Sequence, residues 1–539
     1  MDRISVFARR RRIKNLEEWT LYAILTEAFF LALSPTIAAA AVMFGVITAF
    51  LRMRIDTRYK MRSLPFDVPV TIFLLIGAAS VFLSSVFSFG LIHNYLSLVG
   101  VYALTYLIVG QSIRTPAQVK KVAQALGASA VLVVLWGFFQ FVFGVDAADV
   151  KWTDPDAFPE LKKRIFSTLE NPNVLAGYLD IFICLALGLL SKAERRSHKV
   201  ILISAIILLT ACLVMTYSRG AFIAIVVVFV VYGVLKDWRV LVFFAVVTGL
   251  IAYTDTTFVN RILSTFNMGD SSEGVRVGIW VSTIAMISDH PFAGIGWGAY
   301  QFVYPQYNYY VADLNIIIYH AHNIYLNFAA EIGIVGALAF FWYFFGTMLI
   351  SLGASENSVE NWLSRHLEKI ISSSSFLQEL SNMVNEKLED FSNKVLNLFS
   401  RKKTPHIKKI RRSDVVHHED MKWSKPSTDE EKIASVENIP VAGENISAKI
   451  IKLDDAPKEN DKPLVEWDDV TKVDDKKFLD GFKFGIGLAF LSMALNGLTD
   501  HLLFNIPSSM LMWMLGALGA AIHLMPEEDI NSSKRRRHI

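Results

Sequence analysis

Apolar runs long enough to cross a hydrocarbon core of ~30 Å recur through most of this chain, separated by short polar stretches. They predict about twelve membrane helices, near residues 19–34, 36–52, 66–86, 89–111, 117–143, 173–191, 199–217, 220–235, 239–254, 323–351, 478–498 and 503–524. The first two are short enough to form one re-entrant hairpin. The pattern breaks at two loops, about 144–172 and 255–322, and at a long polar block over 354–476. The predicted fold is all-α, a polytopic membrane protein with a polar insertion. It divides into a membrane domain over 1–353, the insertion over 354–476, and the last two helices with a basic tail over 477–539.

Finer periodicities refine this picture. Residues 276–288 read as an amphipathic helix lying on the membrane surface, with Trp280 as an interfacial anchor. Within the insertion, Leu377, Leu380, Val384, Leu388, Phe391, Val395 and Leu398 are spaced by three and four. That seam, in a helix over 356–400, suits a coiled coil, a cytoplasmic partner or the membrane surface. The basic stretch Arg401 to Arg412 follows, and from about 413 to 475 the composition is that of a disordered segment.

Composition excludes a soluble globular protein: 53% of the 539 residues are hydrophobic and the mean hydropathy is +0.39. The formal net charge of +3 hides a strong segregation. Arg9 to Arg12, Arg52 to Arg62, Lys120-Lys121, Lys192 to Lys199, Lys236 to Arg239 and Lys534 to Arg537 fall on one side if both termini are cytoplasmic. The two cysteines, Cys184 and Cys212, lie in apolar runs, which excludes a disulfide framework. Loops 144–172 and 255–322 then face outward, and irregular chain of that kind is expected where a cavity is lined.

Four polar elements gather on that outer side. Arg164 to Asn173 ends in Asn171-Pro-Asn173, a turn and helix-cap signal that does not account for Arg164. Tyr217-Ser218-Arg219-Gly220 puts an arginine between two strongly apolar runs, where it either snorkels or meets an anion. Arg276 opens the amphipathic helix, and Gly294, Gly296 and Gly298 follow in a loop suited to close approach. Tyr319-His320-Ala-His322-Asn323 leads into the tenth span, with Asn323 as a candidate N-cap and Gly333 and Gly336 as a packing face. His320 and His322 have a zinc-like spacing but no evident third ligand, and Asp154-Pro-Asp156 reads as a turn, so no metal and no cofactor is expected. Three arginines suit a diphosphate, which guanidinium binds without a metal, and a histidine can take a proton from an attacking hydroxyl.

His322-Asn323-x9-Gly333-x-x-Gly336, Ser218-Arg219-Gly220, Arg276-x3-Trp280 and His290-Pro291-x2-Gly294-x-Gly296, in that order, resemble the landmarks of the O-antigen ligase and polymerase family of bacterial envelope enzymes. The resemblance covers about residues 160–350. It implies a twelve-helix fold of the C-type glycosyltransferase kind in the bacterial cytoplasmic membrane. It also implies metal-independent, inverting transfer of a glycan from undecaprenyl diphosphate to an acceptor hydroxyl. On that basis Arg219 and Arg276 bind the donor diphosphate and His322 activates the acceptor. Arg164, Asn173, Ser218, Trp280, His320 and Asn323 would line the substrate. The insertion departs from the family's usual plan and is expected to serve partners or regulation. A polymerase of the same family, a flippase for lipid-linked oligosaccharide using Glu27 and Asp180, and a scaffold organised by the heptad seam are the alternatives.

Overall fold

The computed structural model describes residues 3–144, 164–254, 259, 271–308, 317–354 and 467–536. By contacts the chain divides into Met1–Trp362 with Trp467–Ile539, and Leu363–Glu466; every element below belongs to the first unit. The Asp154-Pro-Asp156 turn, the heptad seam and the basic stretch after it lie outside the described residues.

Each of the predicted spans forms as a helix. They are α1 (Arg3–Phe30), α2 (Pro35–Ile55), α3 (Asp67–Leu83), α4 (Phe89–Ser112), α5 (Pro116–Phe143), α6 (Pro172–Leu190), α7 (Arg196–Val214), α8 (Arg219–Leu235) and α9 (Trp238–Thr254). After α10 (Ser271–Asp289) and the single turn α11 (Tyr300–Val303) come α12 (Ile324–Leu352), α13 (Trp467–Asn496) and α14 (Ile506–Arg536). No strand occurs among the described residues. Eight helices are long and apolar enough to cross a membrane by length and composition, and α3, α8 and part of α9 add three shorter apolar ones. The protein is therefore an all-α polytopic membrane protein.

Three of the differences from the hydropathy reading have a local reason. α1 reaches back through the basic N-terminal stretch, because the Arg9 guanidinium donates to the Ile55 carbonyl at the end of α2. α13 begins within the segment read as insertion: Lys477 pairs with Glu194 at 2.6 Å, Arg195 with Asp474 at 3.3 Å, and Lys120 with Asp475. α14 begins at Ile506 and not near 503. Pro507 stands in its first turn, a position that proline favours, and Leu502–Phe504 forms a separate 3-10 turn. A loop, 497–505, is thereby opened between two helices.

The core is built around α6, whose side chains are buried from Val174 to Leu187. α13 crosses it through Gly481-x3-Gly485, where a Cβ on Gly188 would overlap the Gly485 backbone. Small residues allow this approach, and dispersion between the two backbones replaces a hydrophobic drive that lipid cannot supply. α12 and α14 meet through Trp513 stacked on Tyr343, with ring centroids 4.5 Å apart.

α12 is not continuous. Gly333 has φ +72° inside it, and the carbonyls freed by the break are taken by the loop after α10. Ile295 N–H donates to Ala330 O at 2.8 Å and Gly296 N–H to Glu331 O at 2.9 Å, while Ile334 N–H donates to Pro291 O at 2.8 Å. Ser84, which caps the end of α3, donates to Ile295 O at 2.6 Å and so also holds the inserted loop. The expectation that Gly333 and Gly336 form one packing face is corrected here. Gly336 does pack, against Ile76 of α3, but Gly333 is a helix break that a Cβ would block by overlapping Phe292 O.

Candidate active site

Asn323 caps α12. Its amide oxygen accepts from Tyr325 N–H and Leu326 N–H at 2.9 and 3.0 Å, and its amide nitrogen donates to Leu498 O at 3.0 Å. Asn323 is thus engaged at both ends in holding the turn before α12 against the 497–505 loop. Ile324 N–H adds a bond to Gly497 O at 2.8 Å. Immediately before the cap, His322 takes φ +50°, an uncommon backbone state for a residue other than glycine. Trp280 of α10 supports this conformation by donating its indole N–H to Ala321 O at 3.0 Å, and Asn327 accepts from Ala321 N–H at 3.0 Å.

That geometry turns the His322 ring toward the facing loop. His322 Nδ1 lies 3.3 Å from Asp500 Oδ1. His322 is 35% exposed and Asp500 14%, so the imidazole is the more accessible member of the pair. His320 lies beside it, with ring centroids 4.2 Å apart and ring planes tilted by 59°, and accepts the His322 backbone N–H at its Nδ1. His501 closes the cluster with its ring edge-on to His320 at 5.6 Å.

Electrostatics distinguish the members. Burial alone would raise the Asp500 carboxyl, but its hydrogen bond to His322, with the charges of His322, His320 and Arg276, holds it well below the ordinary carboxylate range. Burial, assisted by His322 and His501, pushes His320 well below the ordinary imidazole value. Burial and the charge of His322 likewise outweigh Asp500 and push His501 down to about 3. The cluster therefore contains a fixed anion, two neutral imidazoles and His322. Arg276, half-buried on α10, acts electrostatically on both His320 and Asp500, so α10 belongs to the same site.

The other sequence-predicted residues form a second cluster, joined to the first by the same loop. Arg164, buried, donates to Thr216 O and to Asn173 Oδ1, both at 2.8 Å. It ties the start of α6 to the turn before α8, which is what the sequence left unexplained. Ser218 is the N-cap residue of α8 but makes no side-chain cap bond, and Arg219 begins the helix, buried. Gly220 lies against Thr499 so closely that a Cβ would overlap its hydroxyl. The Arg219 turn and the His322 turn thus both meet the 497–505 loop, at Thr499 and at Asp500.

Backbone strain is concentrated in these segments. Among the described residues, positive φ outside glycine occurs at Ser167, Glu170, Tyr217 and His322. Such conformations persist where surrounding contacts over-determine them. For Ser167 those contacts are Gln140 of α5, which accepts its N–H at 2.7 Å, and Val133 O, which accepts its hydroxyl at 2.6 Å.

Asp500, His501 and Thr499 were missed from sequence. The available signal was the polar run from Thr499 to His501 between two apolar spans, at a hairpin tip that the charge pattern assigns to the His322 side. The absence of a third metal ligand is also corrected: ligand atoms of His320, His322 and Asp500 lie within 4.8 Å of one another, close enough to hold an ion. Two of the relevant atoms are already engaged, His320 Nδ1 with a backbone N–H and Asp500 Oδ1 with His322 and the His501 N–H.

Residues 203–341 match the protein-family model described as O-antigen ligase. No curated protein matches the chain. The matched stretch contains Arg219, Arg276, Trp280 and the His320–Asn323 turn, whereas Arg164, Asn173 and Asp500 lie outside it.

Proposed function

We propose, on the match of residues 203–341 to the O-antigen ligase family model, that the protein transfers a glycan from undecaprenyl diphosphate to an acceptor hydroxyl at the outer face of the bacterial cytoplasmic membrane. The observation that carries this reading is the His322–Asp500 pair, 3.3 Å apart, in the field of Arg276 and across one loop from Arg219. Both termini are read as cytoplasmic from the charge pattern.

Asp500 accepts from the Nδ1–H of His322 and so selects the tautomer whose Nε2 has a free lone pair. Nε2 takes the proton of the acceptor hydroxyl as that oxygen bonds to the anomeric carbon. The bond from that carbon to the diphosphate oxygen breaks, and undecaprenyl diphosphate leaves with the electron pair. Arg219 and Arg276 stabilise the charge gathering on the leaving group, with the bidentate geometry that guanidinium offers to phosphate. No step calls for a metal. Ser218 and His320 border the reacting groups. Arg164, Asn173, Asn323 and Trp280 keep the loops in register, as their hydrogen bonds suggest.

A flippase would string polar groups across the bilayer. Glu27 and Asp180 are instead each paired with one hydroxyl, Thr105 at 2.6 Å and Ser492 at 3.2 Å, which favours structural roles for both. Purified protein in lipid nanodiscs, supplied with undecaprenyl-diphosphate-linked oligosaccharide and candidate acceptors, tests the proposal. Release of undecaprenyl diphosphate by the wild type, abolished in His322→Ala and indifferent to chelator, is expected. A ladder of repeats identifies a polymerase and a single shifted acceptor band a ligase. An intact donor across a broad panel of acceptors would overturn glycosyl transfer.

A further inference from the structure

The membrane face remote from His322 carries a cavity that glycosyl transfer leaves unused. α6 begins beside Arg164 and ends at Leu190, so its last turn lies one helix length, ~28 Å, from that site. There a cavity of about 420 Å³ is lined by Lys120, Lys192, Arg195, Lys477 and His198 together with two carboxylates, Glu194 and Asp474. It adjoins an apolar cleft of about 520 Å³ between α5 and α7, and Leu189 and Leu202 line both.

The cleft runs from Ala123 to Phe138 along α5, a rise of ~22 Å, which exceeds one leaflet's half of a ~30 Å core. Small side chains keep it open: a Cβ on Gly127 would meet nothing within 4 Å. The charged cavity meets it through Leu189 and Leu202, so a chain lying in it can carry a headgroup of the remote leaflet.

We propose that the two cavities together bind an anionic phospholipid of that leaflet, its phosphate among Lys120, Lys192 and His198 and an acyl chain in the cleft. Charge complementarity selects the occupant. Among the described residues neither Lys192 nor His198 meets a carboxylate, and Lys120–Asp475, Arg195–Asp474 and Lys477–Glu194 are pairs between side chains at least a third exposed. Pairs of that kind contribute little and exchange readily for a phosphate. The Phe478 ring beneath the Lys120 ammonium, 5.5 Å away, holds one cation at the mouth. A free phosphate would leave the cleft unfilled, and a neutral lipid would leave Lys192 unmatched.

Native mass spectrometry of the full-length protein, released from nanodiscs of equimolar phosphatidylglycerol and phosphatidylcholine, tests this. The wild type should retain phosphatidylglycerol preferentially through graded delipidation. Each of Lys120→Gln and Lys192→Gln should lower that retention about five-fold. Ala130→Phe, which fills the cleft and leaves the charges intact, should lower retention as well, and His198→Gln supplies a second charge variant should either lysine change impair folding. Equal retention of the two lipids by the wild type, unchanged retention across the variants, or displacement of phosphatidylglycerol by undecaprenyl phosphate would each overturn the proposal.

Discussion

The two faces of the membrane domain use the same kinds of side chain under different conditions. On one, His322 is itself strained, Arg219 follows the strained Tyr217, and Asp500 faces His322 from the 497–505 loop, all with restricted access to water. On the other, Arg195–Asp474 and Lys477–Glu194 are exposed pairs between α13 and the residues that precede α7. The difference is in consequence: burial makes a charge pattern specific, because an unmatched partner is costly there, whereas water screens the exposed pairs.

The sharpest way to break the comparison is Asp500→Asn. It preserves shape while removing the anion that fixes the His322 tautomer. Turnover is expected to fall roughly a thousand-fold with the donor KM little changed, and Asp500→Glu should restore part of it. If the Asn variant stays within tenfold of wild type, the pair is only structural.

Acid should also separate the faces. His501 ordinarily titrates near 6.5 but is pushed down to about 3 by burial. Between those values the unfolded chain binds a proton that the folded chain refuses. Stability is therefore full above about pH 6.5 and declines below it, by about 2 kcal/mol at pH 5 for this one group. His320, also lowered by burial, adds in the same direction. Thermal unfolding followed from pH 7 to 5 should show the loss, and His501→Gln should flatten it. An unchanged slope in that variant would assign the acid lability elsewhere.

Arg219→Lys retains charge and removes the guanidinium fork. Donor affinity is expected to weaken about tenfold, some 1.4 kcal/mol. An unchanged affinity would mean that Arg219 only reaches for the interface.

The helices were legible because a bilayer demands long apolar runs, and that demand is written locally. His322, Arg219 and Arg276 were legible by type and spacing. Asp500 was not: it stands 178 residues from His322, and the apolar Leu502–Phe504 turn reads like the start of a helix. Gly333 was misread because the same glycine spacing serves both close packing and helix breaking. Only the partner, here the inserted Pro291–Gly298 loop, distinguishes the two. Arg164 could not be interpreted without the Thr216 carbonyl that it meets.

The smallest effect is expected on the remote face, and it is the control for the rest. Arg195 and Asp474 are 3.3 Å apart, with side chains 68% and 47% exposed. At that exposure the attraction is screened and side-chain entropy opposes it, so a double-mutant cycle with Arg195→Ala and Asp474→Ala should give a coupling of at most ~0.5 kcal/mol, shrinking with added salt. The matching cycle on His322 and Asp500, read as turnover, should be strongly non-additive, since either change alone removes the oriented base. A large, salt-insensitive coupling at Arg195–Asp474 would mean that the remote face is as organised as the site. Burial would then not be what separates the two.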